Sequence, residues 1–208
     1  MKTILCYGDS NTWGYNPLDG SRYKKKIRWT NILQEELGSE YDIISEGLNG
    51  RTTVWDDPIE GEFKNGKKHI LTCLNSHKPI DLVIIFLGTN DLKYKFSLTT
   101  YDIGKSVEVM VNIVNKSECG INCNSPEVLV IIPPMLGKRS EETLLFKDAY
   151  SKSLEFSKQF NNILKGKCYL LNASDFIICS SIDGIHLEKE AHFILGKAVA
   201  NNVKNICK

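Results

Sequence analysis

A serine, a histidine and an aspartate can together generate a nucleophile, and this sequence carries all three in short motifs. Ser10 closes Gly8-Asp9-Ser10, and far along the chain His186 closes Asp183-Gly184-Ile185-His186. A serine hydroxyl attacks poorly unless a base lies within hydrogen-bond reach and a third group orients that base. Histidine suits the base because its ordinary pKa lies near neutrality. Asp183 can fold back within one turn and accept from one ring nitrogen of His186, leaving the other free to take the Ser10 proton. Attack on an ester builds charge on the carbonyl oxygen, which needs preorganised donors. The Ser10 amide, the Gly47 amide and the Asn90 side chain, from Gly47-Leu48-Asn49-Gly50-Arg51-Thr52-Thr53 and Gly88-Thr89-Asn90-Asp91, are the candidates.

These motifs need a scaffold that brings distant stretches together. Five apolar runs, at residues 3–7, 41–45, 82–87, 128–132 and 168–171, alternate with helical patterns. The third and fourth are continuous and β-branched, as strands buried on both faces should be. Trp29, Ile32, Leu33 and Leu37 form one helical stripe, closed by Gly38 where a left-handed residue belongs. Ile103, Val107, Met110, Val111 and Val114 form another, opened by Thr99 or Thr100 with Asp102 in its first turn. Residues 144–164 read as a third, longer helix, and Ala191 to Ile206 as the last. The alternation predicts one domain spanning residues 1–208, an α/β protein in three α/β/α layers around a five-stranded parallel sheet. In such sheets ligands gather at the carboxyl ends of the strands. Each of the four polar clusters stands just beyond a predicted strand.

Each motif alone is weak. Gly-Asp-Ser arises by chance in roughly one chain of this length in twenty, and it reads equally as a turn. Asn90 could bond its own backbone, Gly47 could be a turn glycine needing positive φ, and Asp183 could be a cap. Their order and their common place at strand ends make the conjunction specific. Gly8-Asp9-Ser10-Asn11-Thr12 also fits the phosphate loop of a flavodoxin-like binding module. The acidic Asp9 would repel phosphate, however, and that reading leaves Asp183 and His186 unexplained.

Together these motifs resemble the four sequence blocks of the SGNH (GDSL-type) hydrolases. That resemblance implies a flavodoxin-like sheet topology, catalysis by Ser10, Asp183 and His186, and an oxyanion hole of Ser10, Gly47 and Asn90. Arg28-Trp29-Thr30, Glu46 to Thr53 and Asp56-Asp57-Pro58 are similar to the short-chain arylesterase and acyltransferase branch. An esterase acting on acetyl-type esters is therefore expected, with acyl transfer to other acceptors as a side activity and a carbohydrate O-acetylesterase as the alternative. Residues 116–125 and 137–145 match least. The first block departs from the usual pattern in carrying Asn11 where leucine is common, which predicts a more polar pocket wall. Ser45 stands where many members have asparagine. Asp9, Asn11, Trp13, Asn49, Lys93 and Ile185 are the expected pocket residues. Trp55 and Phe96 are further candidates.

The bulk composition adds exclusions. With 42% hydrophobic residues, 25% charged residues and a net charge of +1, nothing suggests nucleic acid or an anionic membrane as a partner. The basic run Lys24-Lys25-Lys26, beside Arg22 and Arg28, reads as a solvated loop edge. No secretory apolar segment or membrane-length run is present. The seven cysteines show no Cys-x-x-Cys pair and read as reduced thiols of a cytoplasmic protein. No metal or organic cofactor is expected. His192 reads as a helix histidine, and His69 and His77 carry no assigned role. The resemblance makes a homo-oligomer plausible, with residues 55–66 as a candidate interface.

Overall fold

The two most apolar runs become inner strands because helices cover both of their faces. The computed structural model describes all 208 residues. Strands β1 (Lys2–Gly8), β2 (Tyr41–Gly47), β3 (Leu82–Phe86), β4 (Glu127–Ile132) and β5 (Tyr169–Asn172) form one parallel sheet, ordered 2-1-3-4-5. The helices are α1 (Ser10–Trp13), α2 (Trp29–Leu37), α3 (Gly66–His77), α4 (Thr100–Val114), α5 (Ala149–Ser153), α6 (Phe156–Leu164) and α7 (Lys189–Ile206). Alternation along the strands divides the core in two. Leu5, Tyr7, Val83, Ile85 and Val130 face α3, α4 and α6, whereas Ile4, Cys6, Ile84 and Ile131 face α2 and α7. The expected three-layer α/β architecture is what forms.

Local signals held in places and failed in others. Thr99 caps α4: its Oγ1 accepts from Asp102 N at 3.2 Å while Asp102 Oδ2 accepts from Thr99 N at 2.9 Å. Gly38 ends α2 at φ 76° and ψ −165°, a glycine conformation outside the left-handed helical region expected for it. The single helix expected over 144–164 is broken. Asp148 stands at φ 63° and Lys147 is extended, so a 3₁₀ turn (Leu144–Phe146), α5 and α6 replace it. Phe146, Ala149, Phe156 and Phe160 are all buried, so the apolar spacing reflected packing rather than one continuous helix. Helix α3 is an element the sequence pattern did not reveal.

Register fixes the rim. Gly8 pairs with Gly47 on one side and with Phe86 on the other. The three strands therefore end level, and the polar clusters that follow them share one edge.

Candidate active site

The turn after β1 is built by hydrogen bonds to the backbone. Asp9 Oδ1 accepts from Asn11 N at 2.9 Å, capping the one-turn helix α1 that Ser10 begins. The amides of Gly14 and Tyr15 both donate to Ser10 O, at 2.9 and 3.0 Å. Two glycines make room for this turn. A Cβ on Gly8 would lie 2.1 Å from Thr12 Oγ1, and one on Gly47 would lie 2.2 Å from Trp13 N. Gly47 is absent from the positive-φ residues. It must be glycine because α1 sits against it, not because its backbone turns left-handed.

The candidate base, His186, comes from a stretch 176 residues beyond Ser10. His186 Nε2 lies 3.0 Å from Ser10 Oγ, and His186 Nδ1 lies 2.6 Å from Asp183 Oδ2. An ionised carboxylate can only accept, so Nδ1 carries the proton and Nε2 is left as acceptor for the serine hydroxyl. Asp183 Oδ1 accepts from the amides of Ile185 at 2.8 Å and His186 at 3.0 Å. Burial pushes the Asp183 carboxyl up, but the His186 ring and these amides outweigh it, and its pKa falls below the usual value. Gly184, at φ 73°, would place a Cβ 2.5 Å from Ser140 N, and its carbonyl accepts from Gly137 N at 2.8 Å. The poorly matched segment at 137–145 thus braces the turn that carries the histidine.

On the third side, Asn90 Nδ2 donates to Arg51 O at 3.1 Å. Asp91 beside it is fully buried and accepts from Thr53 Oγ1 at 2.5 Å and from Thr53 N at 3.2 Å. Arg51 is itself buried. Its Nη1 donates to Gly8 O at 2.8 Å and to Glu46 O, and its guanidinium lies 4.0 Å from the Tyr7 ring centroid. One cation therefore ties the ends of β1 and β2 together and presents its own carbonyl to Asn90. Sequence reasoning gave Arg51 no role.

Residues 6–166 match the model of the GDSL-like lipase/acylhydrolase family. The chain belongs to that family. Solved relatives agree with it over nearly their whole lengths. The aryl esterase of M. smegmatis is 36% identical with a TM-score of 0.92, over 99% of this chain and 100% of that one. A carbohydrate acetylesterase from Sinorhizobium meliloti is 38% identical with a TM-score of 0.92, over the same shares. A lipase/acylhydrolase from Enterococcus faecalis, 18% identical with a TM-score of 0.71 over 99% of this chain and 96% of that one, shares the fold. No curated protein sequence matches the chain. This GDSL-family protein is an ester hydrolase of the SGNH fold.

Several residues expected in the pocket of the hydrolase have other surroundings. Asn11 is 1% exposed, so it does not form a polar pocket wall. Its Oδ1 accepts from Leu187 N at 3.1 Å and its Nδ2 approaches Ile185 O at 3.5 Å, clamping the His186 turn to the Ser10 turn. A leucine could not make either bond. Ile185 is buried in the core. Lys93 is 5% exposed and pairs with Glu60 Oε1 at 3.1 Å, which fastens the 55–66 segment rather than reaching freely into the mouth. Trp55 donates from Nε1 to Ser106 Oγ on α4 at 3.1 Å, and Phe96 packs against the core. Asn49 is partly buried, and its carbonyl accepts from Lys64 Nζ at 2.7 Å. Trp13 stays half-buried beside Ser10, with the Arg22 guanidinium 4.9 Å from its ring centroid. His192 is buried, and its Nδ1 accepts from Trp29 N at 3.3 Å; burial holds its pKa down near about 3, so it remains neutral. All seven cysteines are free thiols. No helix is long and apolar enough to cross a membrane.

Asp9 carries a pH signature. Burial raises its carboxyl to about 6, partly opposed by the Asn11 amide and the His186 ring. The folded hydrolase then binds this proton more tightly than the unfolded chain, whose aspartate titrates near 3.9. With respect to this group, stability is greatest below about pH 4 and is lost as pH rises through about 6. Asp9→Asn, which keeps the acceptor for Asn11, should therefore raise Tm at pH 8 and lose that advantage at pH 4. Melting curves at both values check this, and a variant less stable at pH 8 would contradict it.

Proposed function

We propose that this hydrolase cleaves small, acetyl-type carboxylic esters through an acyl-enzyme on Ser10. The observation that carries the reading is the unbroken Ser10–His186–Asp183 chain, at 3.0 and 2.6 Å. In this mechanism Ser10 Oγ attacks the ester carbonyl as its proton passes to His186 Nε2, and Asp183 stabilises the imidazolium. The oxyanion takes hydrogen bonds from the Ser10 and Gly47 amides and from Asn90 Nδ2, whose second N–H is available beyond the one given to Arg51. His186 then returns the proton to the leaving alcohol. In the second half water attacks the acyl carbon as it loses a proton to the same nitrogen, the bond to Ser10 Oγ breaks, and His186 returns the proton to that oxygen as the acid leaves. An alcohol in place of water gives acyl transfer.

The short acyl preference draws on the aryl esterase and acetylesterase neighbours. A p-nitrophenyl ester series from acetate to octanoate tests it: kcat/KM should fall by at least about tenfold along the series, because a chain too long for the pocket displaces the carbonyl from Ser10 and a misplacement costing about 1.4 kcal/mol is already tenfold. A flat or rising profile would discard the short-chain assignment. A second reading, removal of acetyl groups from sugars, is favoured by the partly exposed aromatic ring of Trp13 at the end of α1. Such a ring is a natural platform for a sugar face. Acetate release from acetylated xylose set against p-nitrophenyl acetate separates the two readings.

A further inference from the structure

We propose that Tyr15 is a positioning residue that fixes the tilt of the His186 ring and stabilises its protonated form, an inference that rests on the Ser10–His186 reading above. The Tyr15 and His186 rings are stacked, with centroids 4.1 Å apart and planes 27° from parallel. The hydrogen bonds at Nδ1 and Nε2 hold two points on the edge of the imidazole. They leave tilt about the line through those points weakly restrained. A ring laid against the face removes that freedom. When His186 takes the serine proton it becomes a cation over a π face, an arrangement that is attractive in the charged state and much less so in the neutral one. The contact therefore favours the transition state over the resting enzyme.

The backbone around Tyr15 is built for this placement. Its amide donates to Ser10 O at 3.0 Å, so nucleophile and stacking ring belong to the same turn. Tyr15 bridges to Arg22 across a hairpin closed by Asn16 N to Ser21 O at 2.9 Å. Arg22 Nε donates to Trp13 O at 2.8 Å and latches the hairpin onto α1. At the ring tip, a Cβ on Gly20 would lie 3.3 Å from the Tyr15 hydroxyl. That hydroxyl makes no hydrogen bond to the protein, so the ring, not the phenol, does the work.

The test compares Tyr15→Phe and Tyr15→Leu with wild type on p-nitrophenyl acetate, alongside Tm and the His186 ring-proton NMR shifts. Tyr15→Phe should keep kcat within about twofold, whereas Tyr15→Leu should lose about tenfold in kcat with KM little changed. The His186 protons, shielded by the stacked ring, should move downfield in Tyr15→Leu and not in Tyr15→Phe. Equal kcat in the two variants, a loss confined to KM, or unmoved His186 resonances would each overturn the proposal. Wild-type turnover that survives Ser10→Ala is a separate failure, that of the nucleophile assignment, and the NMR comparison still decides the stack.

Discussion

Ser10→Ala should lower kcat on p-nitrophenyl acetate by about 10⁵- to 10⁶-fold while leaving the fold intact. On the proposed mechanism the substitution removes the atom that would form the acyl bond, and no other hydroxyl hydrogen-bonds to His186 Nε2. Little structural cost is expected. Helix α1 is capped by Asp9 and closed by amides donating to the Ser10 carbonyl, all of which alanine retains. Tm should therefore stay near that of wild type. Residual rate over water comes from binding and the oxyanion donors. Because serine and base act as one unit, Ser10→Ala combined with His186→Ala should cost hardly more than either alone. An acetyl adduct on the Ser10 peptide of quenched wild type, absent from the variant, is the direct mass-spectrometric check. Undiminished turnover would remove Ser10 from the mechanism.

Asp183→Asn should cost about 10⁴-fold in kcat, by a different route. Two backbone amides, from Ile185 and His186, converge on Oδ1, so an asparagine keeps its carbonyl there. Its amide NH₂ then faces His186 Nδ1 at the place where Oδ2 accepted a hydrogen bond. The ring can avoid two opposed donors only by moving its own proton to Nε2. That tautomer cannot take the serine proton. Asp183→Ala should instead release the turn itself, with a lower Tm as well as lower activity. Comparing kcat and Tm for the two variants separates tautomer control from scaffolding. Asparagine with near wild-type kcat would show that orientation of the ring does not depend on the carboxylate.

The sheet was legible where burial is two-sided. The inner strands β3 and β4 announce themselves as continuous apolar runs, and the edge strand β2, only partly buried, does so faintly. Helix α3 escaped because its buried stripe is thin: Ile70 and Leu74 are buried, but Lys67, Lys68 and His69 crowd its first turn. The site was legible as motifs, since Gly-Asp-Ser, Gly-Thr-Asn-Asp and Asp-x-x-His each keep their chemistry within a few residues. What surrounds them was not. Asn11 reads locally as pocket wall because nothing near it in sequence says that its amide meets Ile185 and Leu187, 174 and 176 residues on. Lys93 looked free because Glu60 lies 33 residues earlier. Arg51 and Tyr15 gave one faint clue each: a lone cation inside a strand-end cluster, and an aromatic just past the glycine that ends α1. Both act through tertiary contacts that no spacing encodes.

The distance along the chain between Ser10 and His186 has a consequence for how the enzyme comes into being during synthesis. The proposed nucleophile Ser10 and the proposed oxyanion donors Gly47 and Asn90 stand at or just beyond the ends of β1, β2 and β3, which leave the ribosome before β4, β5 and α7. The base does not. It stands 176 residues beyond the serine, anchored by α7, whose buried His192 takes the first amide of α2. A nascent chain that already carries Ser10 but not yet His186 lacks the proposed base and is chemically inert. Reactivity would switch on only once the stretch carrying His186 has been made and α7 has docked against α2.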